Sequence, residues 1–214
     1  MSDRWPSADR PTPDAVERRR IVVEATLEGR TSVVAGHVAD HDDRVRASAI
    51  LGLHKLGALA PVMARAAAVD VSPRVRRTLA GVAAERSDVD VAALLADPDP
   101  TVCETACWAA GERAHEATGL VEQLSGLATG HDDPLCREAA VAALGAIGAQ
   151  AGLPAILAAT ADRATVRRRA VIALAPFEGP EVTRALQAAL DDRDWQVRQA
   201  AEDLLAISDE TERP

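Results

Sequence analysis

A Val or Leu, followed by arginine at four of six places, with Ala or Leu four positions after the first, returns along this chain about every thirty residues. The phrase stands at Val45-Arg46 with Ala49, Val75-Arg76 with Leu79, and Val102 with Ala106. It continues at Leu135 with Ala139, Val166-Arg167 with Ala170, and Val197-Arg198 with Ala201. Successive anchors lie 27 to 33 residues apart. A repeat of this length marks supersecondary units that stack because none buries its apolar face alone.

Each phrase opens like a helix. Three positions ahead of the anchor stand Asp42, Ser72, Asp99, Asp132 and Asp194, side chains that accept hydrogen bonds from the free N–H groups of a first turn. The 166 repeat departs from this, with Arg163 in the slot and Asp162 beside it. Pro73 and Pro100 follow their caps, where a missing N–H is harmless, and Gly57 and Gly148 mark helix ends. A shorter set of helices is expected between these, over 58–68, 88–96, 116–129, 152–160 and 180–190, with Pro61, Pro154 and Pro180 in their opening turns. The unit is therefore helix–turn–helix, six times over about residues 30–208. Residues 14–28, with Ile21, Val22 and Ala25 on one side, read as a degenerate capping helix. The chain thus reads as one repeat domain over 14–208, with a disordered tail at 1–13 and a frayed one at 209–214.

Composition agrees with close helix packing. Apolar residues make up 48% of the chain but aromatics only 2%, so the core must rest on Ala, Leu and Val rather than on the residues strands favour. The net charge of −9 opposes phosphate backbones and anionic lipid. The polar, Pro-rich start carries no apolar leader, and the uncharged stretch 139–161 is broken by Gly145, Gly148, Gly152 and Pro154. Two repeat helices explain that stretch better than a membrane span. Three cysteines, an odd number in a chain too large to need staples, point to a reducing cytoplasm.

The pattern Asp-x-x-Val-Arg-x-x-Ala-Ala-x-Ala-Leu-Gly-x-Ile-Gly, clearest over residues 132–148, 42–57 and 194–205, resembles HEAT repeats of the short bacterial type related to phycocyanobilin-lyase-like repeats. The near absence of aromatics argues against tetratricopeptide arrays, and no Thr-Pro-Leu-His phrase suggests ankyrin. The resemblance implies an all-α, right-handed superhelical solenoid of about six two-helix repeats. Its second helices would line a concave wall. Scaffolds, lyases and hydroxylases all use this architecture.

On that wall, positions two, three, six and ten after each anchor are expected to face the groove. They include Arg77 and Thr78, then Glu104, Thr105, Trp108 and Glu112, then Arg137, Glu138, Val141 and Gly145, then Arg168, Arg169 and Ile172. Trp108, between Glu104 and Glu112 and flanked by Arg77 and Arg137 one repeat to either side, is the expected anchor for a protein or peptide. Arg46, Arg76, Arg167 and Arg198, each directly after a Val, point instead to the neighbouring repeat, where a ladder to turn aspartates is expected. Trp195 is expected to pack over its turn, and Trp5 lies in the tail.

Catalytic chemistry finds little support. Cys103 and Cys136 fall at core positions and Cys107 one turn on. No histidine is placed to complete a tetrahedral set with them, so neither metal nor cofactor is expected. His41 and His131 read as echoes of one His-Asp-Asp turn phrase. The similar deoxyhypusine hydroxylases carry paired His-Glu dipeptides at helix starts. Here those positions read Arg137-Glu138, Arg77-Thr78 and Glu104-Thr105, and His115-Glu116 lies at the far end of its pair. A non-catalytic adaptor is the expected function, with a degenerate lyase- or hydroxylase-like enzyme as the alternative. DNA binding is opposed by the acidic, aromatic-poor composition.

Overall fold

The computed structural model describes residues 13–211, with side chains over 14–206. Among the described residues all regular structure is helical. The packing forms two compact units, one ending at Val82 and the other beginning at Ala83, over the stretch that the repeat pattern reads as one domain.

In the first unit, α1 (Pro13–Leu27), α3 (Asp43–Lys55) and α5 (Pro73–Val82) form a row with α3 in the middle. The shorter α2 (Thr31–Ala35) packs on α1 and α3, and α4 (Pro61–Ala68) on α3 and α5. The capping segment is therefore a helix in the row of second helices. Its Val22 and Ala25 are buried, together with Val45, Leu53, Val75 and Leu79. Each such Val or Leu contributes about 1.5–3 kcal/mol by leaving water.

The second unit repeats the plan four times. Its first helices are α6 (Val91–Leu95), α8 (Val121–Gly130), α10 (Leu153–Ala159) and α12 (Pro180–Leu190). Its second helices are α7 (Pro100–Glu112), α9 (Pro134–Ile147), α11 (Ala164–Ala173) and α13 (Trp195–Thr211), each packed on the next in a row. The expected helix at 116–129 divides into a 3-10 turn, Ala117–Leu120, and α8. The uncharged stretch 139–161 divides between α9 and α10 at Gly148, whose φ of 65° places it in the left-handed region. No helix among the described residues is long and apolar enough to cross a membrane.

Small residues set the spacing of the second row. A Cβ on Gly145 would lie 2.7 Å from both Cα and Cβ of Ala173, so the α9 and α11 backbones meet there with no room for a side chain. At Gly111 the same atom would come within 3.3 Å of the Ala143 Cα. An aromatic-poor, Ala-rich composition is what such close approach requires.

Three of the expected aspartate caps hold and one slips. Asp42, Asp99 and Asp194 accept from the N–H groups of Arg44, Thr101 and Gln196, each at 2.9 Å. Helix α9, however, is capped by Asp133, which accepts from Leu135 N–H at 2.8 Å, and not by Asp132. Its anchor is Cys136, fully buried, while Leu135 is 54% exposed. The signal lay in Pro134: proline stands at the first helical position directly after the cap, as at Asp99-Pro100.

Candidate functional site

Two of the arginines expected in a ladder, Arg46 and Arg167, form it, Arg137 joins them, and Arg76 and Arg198 each donate Nη1 to the turn before their own helix, at the Asp70 and Asp192 carbonyls. Arg46 places Nε and Nη2 on the two carboxylate oxygens of Asp70, the next turn along, at 2.8 and 2.7 Å, and its Nη1 donates to the Asp40 carbonyl at 2.8 Å. Arg167 does the same with Asp192, at 2.8 and 2.7 Å, and with the Asp162 carbonyl at 2.7 Å. Arg137 grips Asp162 at 2.6 and 2.9 Å and the His131 carbonyl at 2.7 Å. Hydrogen bonds from these arginines hold the Asp162 and Asp192 carboxyls below the usual carboxylate range, against the opposing effect of burial. Each turn aspartate also organises its own cap: Asp70 and Asp192 accept from the N–H groups of Ser72 and Asp194. One clamp therefore ties a helix start to the following repeat.

This geometry corrects the expected binding surface. Arg137 belongs to the ladder, and Val141 is fully buried, because α9 is in register one residue later than Leu135 implied. At about 100° per residue, that slip turns a core residue into an apparent surface one. In α9 the positions equivalent to those around Trp108 hold Glu138, Ala139, Ala142 and Ala146. Trp108 itself is 51% exposed, with Glu104 half-buried one turn before it and Glu112 exposed one turn after. Further along, Arg169 reaches Glu138 at 3.6 Å, and Arg168 and Ile172 are exposed. Arg77 is exposed on the first unit. Trp195, expected to cover its turn, is 64% exposed and lines a shallow groove of about 270 Å³ with Arg168, Ile172 and Gln199. Trp5 lies outside the described residues.

A second constellation was missed in the sequence. Sulfur atoms of Cys103 on α7 and Cys136 on α9 and a ring nitrogen of His131, in the turn before α9, lie within 4.8 Å of one another. The sequence marks no histidine as a partner of these cysteines; the structure puts His131 there. Nor is His131 an echo of His41. His41 immediately precedes its cap, Asp42, whereas His131 stands two residues before Asp133 and accepts that residue's N–H through Nδ1 at 3.0 Å. That is the place of Asp70 and Asp192. Counting back from the Asp-Pro cap reveals the equivalence. The Cys103 thiol donates to the Leu95 carbonyl at 3.3 Å, and the Cys136 thiol to the Pro100 carbonyl at 3.1 Å. A hydrogen bond from the Cys107 thiol lowers the Cys103 pKa, while burial pushes the Cys136 thiol up to about 12. All three cysteines are buried and unbridged.

Helix pairs stacked in two rows, clamped turn to turn, define an α-solenoid. Residues 89–175 match the family model for HEAT repeats, and residues 166–192 match the PBS lyase HEAT-like repeat. Residues 89–192 therefore carry HEAT repeats, within a chain whose fold is an α-solenoid. Its fold is similar to that of YibA of E. coli, with a TM-score of 0.61 at 16% identity over 98% of this chain and 83% of that one. A designed armadillo repeat protein superposes with a TM-score of 0.49 at 15% identity, covering 92% of this chain and 95% of its own. Human deoxyhypusine hydroxylase in complex with glycerol gives 0.35 at 17%, covering 89% and 99%. The last two superpose too loosely to bear on function. No curated protein matches the sequence.

Proposed function

We propose that the protein is a non-catalytic recognition scaffold whose second-helix face around Trp108 receives a protein or peptide segment. The observation that carries this reading is Trp108 itself: a large aromatic left 51% exposed in a chain with 2% aromatics, between the carboxylates of Glu104 and Glu112. Tryptophan dominates interface hot spots because it buries a large area with few rotatable bonds. Three of the four equivalent α9 positions, Ala139, Ala142 and Ala146, are alanine, and the fourth, Glu138, adds a further carboxylate. The carboxylates favour a segment carrying basic residues next to an apolar side chain. Three unbridged, buried cysteines suit the reducing cytoplasm, which is the proposed location.

The test is affinity capture from native cell extract with wild type, Trp108→Ala and Glu104→Lys/Glu112→Lys. The variants should lose the captured protein while keeping the helical circular dichroism of wild type. Capture of the same protein at the same yield by all three would refute the assignment.

A further inference from the structure

Independently of the Trp108 face, the repeat pattern itself picks out a second site. At the step from α7 to α9 the arginine–aspartate clamp is replaced on both sides at once. Cys103 occupies the position that Arg46, Arg137 and Arg167 hold in their helices, and His131 occupies the position of the partners Asp70 and Asp192, while Asp162 stands one residue nearer its helix. The anchor of the next helix departs as well: Cys136 stands where the other five repeats have Val45, Val75, Val102, Val166 and Val197. Three departures, spread along the chain, converge within 4.8 Å. A single buried cysteine is ordinarily a small apolar filler. Two cysteines and a histidine that replace three different consensus residues, and meet at one point, make a donor set.

We propose that Cys103, Cys136 and His131 bind one zinc-type divalent cation. Two thiolates and an imidazole are the soft and borderline donors that this ion prefers, and adjacent helices supply them without a loop rearrangement. Both cysteines are fully enclosed, whereas His131 is half-buried and marks the side of entry. Three protein ligands leave a fourth position for water or a partner's donor, the open arrangement rather than the closed structural one. Loading removes the Asp133 N–H bond to Nδ1, either because Nδ1 binds the ion or because the ring proton moves to Nδ1 when Nε2 does. The ion thus takes over the clamp's task of tying a helix start to the adjacent repeat.

The experiment uses the reduced full chain and Co²⁺ as an optical probe, followed by displacement with Zn²⁺. One Co²⁺ per chain is expected, with thiolate-to-cobalt charge-transfer bands and tetrahedral d–d bands that vanish on adding Zn²⁺. The Asp133 amide resonance should shift on loading. Two variants install residues that the fold already uses at these positions: Cys136→Val restores the common anchor, and Cys103→Arg/His131→Asp restores the clamp. Each should keep wild-type helical content and weaken Zn²⁺ binding by more than about 100-fold, beyond what loss of an outer-shell partner brings. The proposal is overturned if reduced wild type shows no thiolate bands, or if the clamp variant binds as tightly as wild type. It is equally overturned if the protein forms a Cys103–Cys136 disulfide on oxidation but binds no metal when reduced. None of these outcomes touches capture through Trp108.

Discussion

Removing the Asp192 carboxylate tests whether the ladder holds the repeats together. The Arg167 side chain is 7% exposed and that of Asp192 14%, so water is largely excluded from the pair. Asp192→Ala removes both fork bonds and frees the Asp194 N–H, leaving the guanidinium with the Asp162 carbonyl. A charged hydrogen bond is worth about 1.5–3 kcal/mol, and breaking one side of a buried pair costs about 3–5 kcal/mol. The remaining exposure lets some water in, so about 3 kcal/mol is expected. Arg167→Met removes the other partner and fills the space without a charge. Urea unfolding followed by far-UV circular dichroism, on the two single variants and the double, gives the coupling energy. It should be about 2 kcal/mol, against roughly 0.2–1 kcal/mol for exposed pairs. Glu17–Arg20 on α1, with both side chains more than half exposed, is the control and should show no measurable coupling. A coupling below about 0.5 kcal/mol for Arg167–Asp192 would reduce the ladder to surface decoration.

Gly145→Ala should destabilise by about 1–3 kcal/mol, because the added methyl meets Ala173 backbone at 2.7 Å and α9 must separate from α11. Gly126→Ala, in the middle of α8 with nothing within 4 Å, should stabilise by about 0.5–1 kcal/mol. Urea midpoints moving the same way in both would show that helix propensity, and not backbone contact, governs Gly145. Stability should also fall in acid. The Asp162 and Asp192 carboxyls titrate below their unfolded value, near 3.9, so the ladder contributes fully above that pH and loses its contribution as pH falls through the lowered folded values. Urea midpoints measured between pH 7 and pH 3 should hold steady down to about pH 5 and then drop, and the drop should be shallower in Asp192→Ala. An equal drop in that variant would show that other carboxylates carry the effect.

Much of this was written locally. Asp42, Asp99 and Asp194 announced their helix starts, and Gly148 ended α9, because caps and left-handed turns depend on residues within a few positions of one another. The Arg–Asp ladder was legible at Arg46 and Arg167, since the repeat sets each arginine one unit before a turn aspartate. The exposed Trp108 followed from its helix phase, but Arg137 and Val141 did not. Two adjacent aspartates offered two caps for α9, and choosing Asp132 turned every later side chain by one step.

The sequence by itself determined that the chain is a stack of helix pairs, because a thirty-residue period carries helix caps and an Ala-, Leu- and Val-rich, aromatic-poor face that each unit must bury against its neighbour. It also determined which residue types recur at each slot. Only the tertiary structure decided what the slots bring together. Cys103, His131 and Cys136 are unremarkable one by one. They become a donor set because packing α7 against α9 carries one repeat's exception onto the next repeat's, and that depends on register to a single residue. Helix phase changes by about 100° per residue, so no local rule can place side chains from different helices to within a few ångströms.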